Sequence, residues 1–368
     1  MDEETAAWVK FSVFPGIGPV RFRLLLTYFG SARDAWNASP VTLNNIKFGT
    51  RLTDQFVDFR KKFDINGYVR QLDKLHVSVV PINHPRYPKL LKEIPDAPFL
   101  LYVLGKNTGK PIDLERTIAV VGTRLVTSYG REVTQKLVEG LVAYGFTIVS
   151  GLAYGVDAVA HQTALDCSGK TIAVLGSGID IIAPPSNANL YRQIADGGGA
   201  IVSEMPLGLK PNKGLFPARN RIISGLSLGV VVTEGASDSG SLITARNAGE
   251  QGREVFAVPG PITSKYSKAP FRLLKNGAKL VESVEDIIEE LGLTKIQRVV
   301  SSIHANVGGE TKEEKKILNL LSARQMTIDS LVRASGLTIH IISATLSILE
   351  MKGIVKDYGE KEYGLNYR

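Results

Sequence analysis

Between Arg116 and Leu291, six short runs of uninterrupted apolar residues alternate with stretches of helical character. The runs are Thr117–Val121, Phe146–Ser150, Thr171–Leu175, Ala200–Ser203, Gly229–Thr233 and Glu254–Val258. Between them lie Gly130–Tyr144, Val156–Asp166, Asn187–Ala195 and Ser241–Gln251. A strand with one wet face alternates apolar and polar residues, whereas a strand covered on both faces is apolar throughout. Continuous runs therefore point to a parallel sheet with helices above and below it. The expected fold class is α/β, with a doubly wound, mainly parallel sheet.

The flanks read differently. Residues 1–78 look like short helices, with the turn Phe14-Pro15-Gly16-Ile17-Gly18-Pro19 feeding an amphipathic segment from Arg21 to Tyr28. The stretch from His76 to Lys110 carries Pro81, Pro85, Pro88, Pro95 and Pro98 and reads as an ordered connector. The sheet domain is expected over 79–292, with 79–115 as its lead-in segment. A linker is expected at 293–309 and a compact module at 310–368. The module's helical stretches at Glu313–Leu321, Thr327–Ala334 and Ile339–Lys352 and its β-like tail at Gly353–Tyr363 are the parts of a winged helix.

Composition removes several classes of function. The single cysteine, Cys167, excludes an internal disulfide framework and any Cys-cluster zinc site. The longest apolar runs are strand-sized, too short to cross a bilayer. The opening MDEETAAWVK is acidic and lacks an apolar core, unlike a signal peptide. The expectation is a soluble chain in the reducing cytoplasm. With 44 Lys+Arg against 36 Asp+Glu the net charge is +8, which favours a polyanionic partner. The excess lies outside residues 111–292: 16 basic less 10 acidic groups over 1–110 give +6, 17 less 18 over 111–292 give −1, and 11 less 8 over 293–368 give +3. An anion held by the centre has to be held by a local pocket.

In a doubly wound sheet that pocket lies beyond the carboxyl ends of the strands. Here the strands lead into Gly122-Thr123-Arg124, Ser150-Gly151-Leu152-Ala153-Tyr154-Gly155, Gly176-Ser177-Gly178, Glu234 through Ser241, and Pro259-Gly260. Small residues at such corners let a ligand approach the backbone, and Ser239-Gly240-Ser241 opens a helix whose free N–H groups suit a phosphate. The same residues also serve plain turns. Phe216-Pro217-Ala218-Arg219-Asn220-Arg221, ahead of a helical stretch Ile222–Leu228, places two arginines beside an asparagine. They suit phosphate geometry, or else ion pairs with Glu204 or Glu234.

Neither G-x-x-x-x-G-K-[ST] nor a strand-borne G-x-G-x-x-G is present, which counts against ATP or NAD. No cofactor is expected, and His161 has no partner at ligand spacing, so no metal either. Asp157 and His161 share a helix face and can orient a general base or pin the helix start. Cys167 reads as a small buried apolar residue.

Taken together, the chain resembles the DNA-processing protein A family (DprA, also called Smf). The resemblance spans almost the whole chain. It rests on five ordered signatures: Val120–Arg124, Ser150–Asp157 with Ala160-His161, Phe216–Arg221, Ser239–Ala245 and Phe256–Gly260. The resemblance implies an extended Rossmann domain, an N-terminal helical SAM-like domain with a helix–hairpin–helix at Phe14–Ser31, and a C-terminal winged helix. It implies a non-enzymatic protein that binds single-stranded DNA, forms a homodimer through the Rossmann domain, protects incoming strands and loads RecA during natural transformation. Carried over by position, the expected strand-binding residues are Gly122, Thr123, Arg124, Ser150, Gly151, Arg219, Asn220, Arg221, Ser239, Gly240, Ser241 and Thr244. The chain departs from the family pattern at Ala183 and Ser186, and over Ser267–Leu274 near the family's dimer face.

Tyr154, Tyr191 and Phe216 are candidates for base stacking or for the core. Gly16, Gly18, Arg21 and Arg23 offer a second backbone contact to a phosphate, or a structural turn. The third helix of the winged module lacks Lys or Arg until Lys352, which favours protein interaction or weak duplex contact over base reading. Two other functions remain open on these residues. One is a nucleotide phosphoribohydrolase-like enzyme using Asp157, His161 and Glu234, although its P-G-G-x-G-T run is absent. The other is a nucleotide-sensing winged-helix regulator.

Overall fold

All six apolar runs lie in one nine-stranded sheet. The computed structural model describes residues 1–46, 49–106, 115–197, 199–293, 311–323, 325–352, 354–359 and 362–365. It divides into two units, Met1–Arg298 and Val299–Arg368. In the first unit the strands are β1 (Ser78–Pro81), β2 (Leu100–Leu104), β3 (Thr117–Val121), β4 (Thr147–Ser150), β5 (Thr171–Leu175), β6 (Ala200–Ser203), β7 (Gly229–Val232), β8 (Glu254–Ala257) and β9 (Lys279–Leu280). Their order is β1-β2-β6-β5-β4-β3-β7-β8-β9. β1 and β2, and β2 and β6, pair antiparallel; the rest pair parallel.

The helices of this unit are α1 (Glu3–Val13), α2 (Pro19–Phe29), α3 (Ala32–Asn37), α4 (Pro40–Asn45), α5 (Thr50–Lys62), α6 (Ile65–Lys74), α7 (Lys89–Lys92), α8 (Ser128–Ala143), α9 (Val156–Asp166), α10 (Ala188–Asp196), α11 (Leu215–Gly225), α12 (Ser241–Glu250), α13 (Lys268–Lys275) and α14 (Val284–Glu290). Strand alternation sends Ile118 and Val120 into the layer formed with α8, α9 and α14, and Ala119 and Val121 into the layer formed with α11 and α12. Both layers are closed, which is why the runs are apolar on both faces over most of their length. The N-terminal helices enclose an aromatic cluster of Trp8, Phe11, Phe22, Trp36 and Phe56. This cluster is continuous with residues of the sheet such as Tyr102 and Ala173. The Tyr102 hydroxyl meets Ser12 of α1 at 2.5 Å and accepts from Tyr68 of α6 at 3.2 Å, tying helices to sheet.

Two expectations change. The proline-rich stretch after His76 holds β1 and β2, and its prolines mark their ends and the excursion between them. The arginine cluster expected ahead of a helix at Ile222 lies inside α11, which begins at Leu215. Pro217 falls in the first turn, where its missing N–H has no helical partner to lose.

The second unit contains α15 (Lys312–Ala323), β10 (Met326–Thr327), α16 (Ile328–Ser335), α17 (Ile339–Met351), β11 (Val355–Asp357) and β12 (Glu362–Leu365), with strand order β10-β12-β11. Ile317, Leu321, Leu331, Ile342, Leu346 and Leu365 form its core. The expected linker at 293–309 lies, apart from Leu293, outside the described residues.

Candidate nucleic-acid interface

The strand order reverses at β3, which has β4 on one side and β7 on the other. The helices that follow these strands pack on opposite faces of the sheet, α8 and α9 on one and α12 on the other. A crevice opens where they part, the usual ligand position in an open α/β sheet. The β3 and β7 corners are joined by the Thr123 N–H donating to the Glu234 carbonyl at 2.7 Å. The Thr123 carbonyl in turn accepts from Val156 N at 3.1 Å, which seats α9 on the β3 corner. Gly155 before α9 has φ +73°, and a β-carbon there would stand 2.2 Å from the Thr123 carbonyl, so the position takes only glycine.

The β4 corner is held by side chains of α9 and of neighbouring elements. Gly151 N and Ala153 N donate to Asp157 Oδ2 at 3.1 and 3.4 Å. Leu152 sits at φ +56°, an uncommon region for a non-glycine residue. Its N–H donates to His161 Nε2 at 3.3 Å, and its carbonyl accepts from Asn187 Nδ2 at 3.0 Å. The Ser150 hydroxyl donates to the Val120 carbonyl at 2.7 Å. His161 Nδ1 lies 2.7 Å from Thr171 Oγ1, whose own proton goes to the Ile148 carbonyl. His161 therefore carries its proton on Nδ1 and accepts at Nε2, and burial, helped by the Arg219 charge, holds its pKa down to about 3. Neither nitrogen is free to act as a base.

Arg219 is buried and reaches from α11 across the β4 corner, donating from Nη1 to the Val174 carbonyl at 2.7 Å. Its Nε has no hydrogen-bond partner among the described residues. Burial brings the guanidinium down to about 10, with Asp157 opposing that shift and Arg124 adding to it. Burial likewise pushes the Asp157 carboxyl up, with Arg219 as the largest opposing influence. Arg221, two residues on, leaves α11 in another direction and pairs with Glu204 and with Asp96, the latter at 3.1 Å. The alternative of an ion pair with Glu204 holds for this residue.

Arg124 differs from both. It is exposed, its guanidinium stands 5.4 Å from the centre of the Phe216 ring, and it has no carboxylate within ion-pair distance among the described residues. Tyr154 is exposed beside the same corner, whereas Tyr191 is core, its hydroxyl bonded to the Ile179 carbonyl. At the β7 corner the Ser239 and Ser241 hydroxyls meet at 2.8 Å, Gly240 is open, and Ser241 and Thr244 are buried beneath it. Asn220 Nδ2 donates to the Gly240 carbonyl at 3.3 Å and links α11 to this corner.

Arg124, Gly151, Arg219 and Phe216 thus share one crevice, and Asn220 couples it to the Ser239 corner; Arg221 faces other partners. Glu234 caps α8, accepting from Thr127 N and Oγ1 at 3.0 and 2.7 Å. Two residues not singled out from the sequence, Thr127 and Asn187, fix the corners. Thr127 was findable as a threonine before a helix start, while Asn187 has no local signal. Elsewhere in this unit, Arg21 and Arg23 donate to the carbonyls of Gly16 and Pro95. In the second unit, Lys352 pairs with Glu314 at 3.0 Å, and α17 exposes Ile341, Ile348 and Met351. Among the described residues no group of His, Cys, Asp and Glu can hold a metal, and no single helix is long and apolar enough to cross a membrane.

The chain matches the family model for DNA recombination-mediator protein A over residues 78–292 and that for the DprA winged helix domain over 305–358. It is 35% identical to protein Smf of Synechocystis over 100% of this chain and 99% of the relative. It is 40% identical to the DNA processing protein DprA of Bacillus subtilis over 71% of this chain and 90% of that one. Among solved structures it is similar to DprA of Streptococcus pneumoniae, with TM-score 0.68, 35% identity and coverage of 79% of this chain and 98% of that one. It is also similar to DNA processing protein A of Helicobacter pylori, described by its single-stranded DNA binding mode, with TM-score 0.53, 30% identity and coverage of 61% and 98%.

Proposed function

The chain belongs to the DNA recombination-mediator protein A family, and from that membership we propose that it is a single-stranded-DNA-binding recombination mediator. It grips an unpaired strand in the crevice at β3, β4 and β7, protects it, and delivers it to RecA during natural transformation, cutting no bond. The observation that carries this reading is the Arg124–Phe216 pair. A guanidinium lying over a ring keeps its N–H edge available to a phosphate, and the exposed Tyr154 nearby offers a base a flat face. Gly122, Thr123, Ser150, Gly151 and the Ser239–Ser241 corner with Thr244 shape the backbone around the strand. Arg219 and Asn220 act through that backbone, and Arg221 anchors α11 behind it.

A binding role without hydrolysis fits the acid–base candidates. Asp157 accepts backbone N–H groups, His161 is neutral with both nitrogens occupied, and Glu234 caps a helix.

With Arg124 as the outward arginine of the crevice and a net charge of −1 over residues 111–292, one protomer supplies few phosphate ligands. Joining two crevices on one strand multiplies affinity without new contacts. A homodimer through the Rossmann domain is proposed on that ground, and an open groove of about 560 Å³ between α12 and α13, lined by Leu242, Ile243 and Leu273, is its natural face.

The test compares a labelled oligothymidylate with a duplex of equal length, for wild type and Arg124→Ala, with RecA filament assembly scored on the bound strand. Preference for the single strand that is lost with Arg124 supports the reading. Unchanged affinity in the variant removes the crevice from the account, and unchanged RecA assembly removes the loading step.

A further inference from the structure

The carboxyl ends of the parallel strands β3, β7 and β8 lie along one edge, so the corner after β8 is two strand spacings, roughly 10 Å, from the corner that carries Arg124. Tyr129, in the first turn of α8, projects there with 37% of its surface exposed. Its hydroxyl donates to the Pro259 carbonyl, and its ring edge lies 3.6 Å from the place a β-carbon of Gly260 would occupy. The ring is therefore pinned while still open, so little side-chain freedom remains to be lost when something stacks on it.

The segment that follows is seated firmly on the neighbouring β7 corner. Gly235 N donates to the Tyr266 carbonyl at 2.6 Å, and Ala269 N donates to the Gly235 carbonyl at 2.8 Å. These bonds present Lys265, Lys268 and the 81%-exposed Ile262 to solvent. The Lys265 ammonium stands 5.0 Å from the centre of the Tyr266 ring, and neither lysine has a carboxylate within ion-pair distance among the described residues. Glu132, one helical turn beyond Tyr129, repels a phosphate, so a strand passing here places its base on the tyrosine and its phosphates on the lysines.

We infer a second single-stranded-nucleic-acid subsite at the β8 corner, formed by Tyr129 as a stacking platform with Lys265 and Lys268 as phosphate ligands, which extends the strand path beyond Arg124. It rests on the function proposed above and adds the direction in which the strand continues.

The experiment measures anisotropy of a short oligothymidylate that fills one crevice and of one several times longer, at several salt concentrations. Tyr129→Ala is expected to weaken the long strand about tenfold and leave the short one unchanged, while Tyr129→Phe, which keeps the ring and loses its anchor on Pro259, falls between Tyr129→Ala and wild type. Lys265→Ala with Lys268→Ala, at exposed positions that cannot disturb the core, lowers the salt slope for the long strand by about 1.4. Wild-type binding of the long strand by both the tyrosine-to-alanine and the double-lysine variants overturns the subsite, with the Arg124 crevice left standing if Arg124→Ala still weakens both lengths. An Arg124→Ala protein that binds both lengths normally sinks the underlying reading as well.

Discussion

A β-carbon added to Gly151 would stand 1.7 Å from Arg219 Nη1. That nitrogen is committed to the Val174 carbonyl, and the rest of the guanidinium is enclosed. The arginine and the glycine therefore define each other: the absent side chain is the space through which α11 braces the β4 corner.

Gly151→Ala should cost about 1–3 kcal/mol of stability, the usual penalty for overfilling a packed site. Urea unfolding measures it. The displaced corner should also weaken single-strand binding in the protein that remains folded.

Arg219→Met strands the Asp157 carboxylate in the interior. Arg219 and Asp157 act on each other without a direct ion pair, and Asp157 keeps its backbone donors Gly151 N and Ala153 N, so the loss should fall below the ~3–5 kcal/mol of a broken contacting pair. Adding Asp157→Asn should recover part of that loss, because no unpaired charge is then left. A double-mutant cycle in urea reads the coupling, and strict additivity would show that the two charges do not interact.

Arg124→Ala, by contrast, should change stability by less than about 0.5 kcal/mol, since the side chain is exposed and rests on the Phe216 ring. Its effect belongs in affinity. The salt slope for a single strand should fall by about 0.7, because one phosphate fewer is neutralised.

Arg221→Ala should behave in the opposite way. It leaves Glu204, whose carboxyl burial already pushes upward, without its main partner, so the folded state suffers. Strand affinity per folded molecule should match wild type. A loss as large as that of Arg124→Ala would place this residue in the strand path after all.

His161 gives the protein a pH-dependent liability. Unfolded, the ring takes a proton near pH 6.5; folded, it takes one only near 3. Between those values the unfolded chain holds the extra proton. The stability from the neutral ring is thus complete above about pH 6.5 and drains away towards pH 3, by up to about 1.4 kcal/mol per pH unit. Asp157, with its raised pKa, gives the opposite slope in acid. Urea midpoints at neutral and mildly acidic pH should converge less in wild type than in His161→Gln, whose neutral amide does not titrate. Identical pH profiles would count against the buried imidazole as the cause.

The parallel strands were legible because their burial on both faces leaves an unbroken apolar signature: Thr117–Val121, Thr171–Leu175 and Ala200–Ser203 end where that signature ends. Leu100–Leu104 carries the same signature and was obscured by five prolines in its neighbourhood, which punctuate the antiparallel excursion between β1 and β2. β9 has two residues, too few for any period to register. The shared crevice of Arg124 and Arg219 followed from the rule that ligands meet the carboxyl ends of strands. The divergence of Arg219 from Arg221 did not, because it depends on α11 starting at Leu215. Once both are helical, residues two apart point to different sides. Phe216 under Arg124 and Asn187 under Leu152 are contacts across long stretches of chain, which local patterns do not encode.

The sheet's outer margins are short. One is β1, four residues closed by Pro81; the other is β9, whose Lys279 and Leu280 are both exposed. A proline cannot donate to a further ladder, and two residues give an incoming chain almost nothing to zip along. A broad sheet of this kind would otherwise be open to runaway stacking of copies. With both rims blunted, the edges of this sheet give a second copy little backbone to pair with.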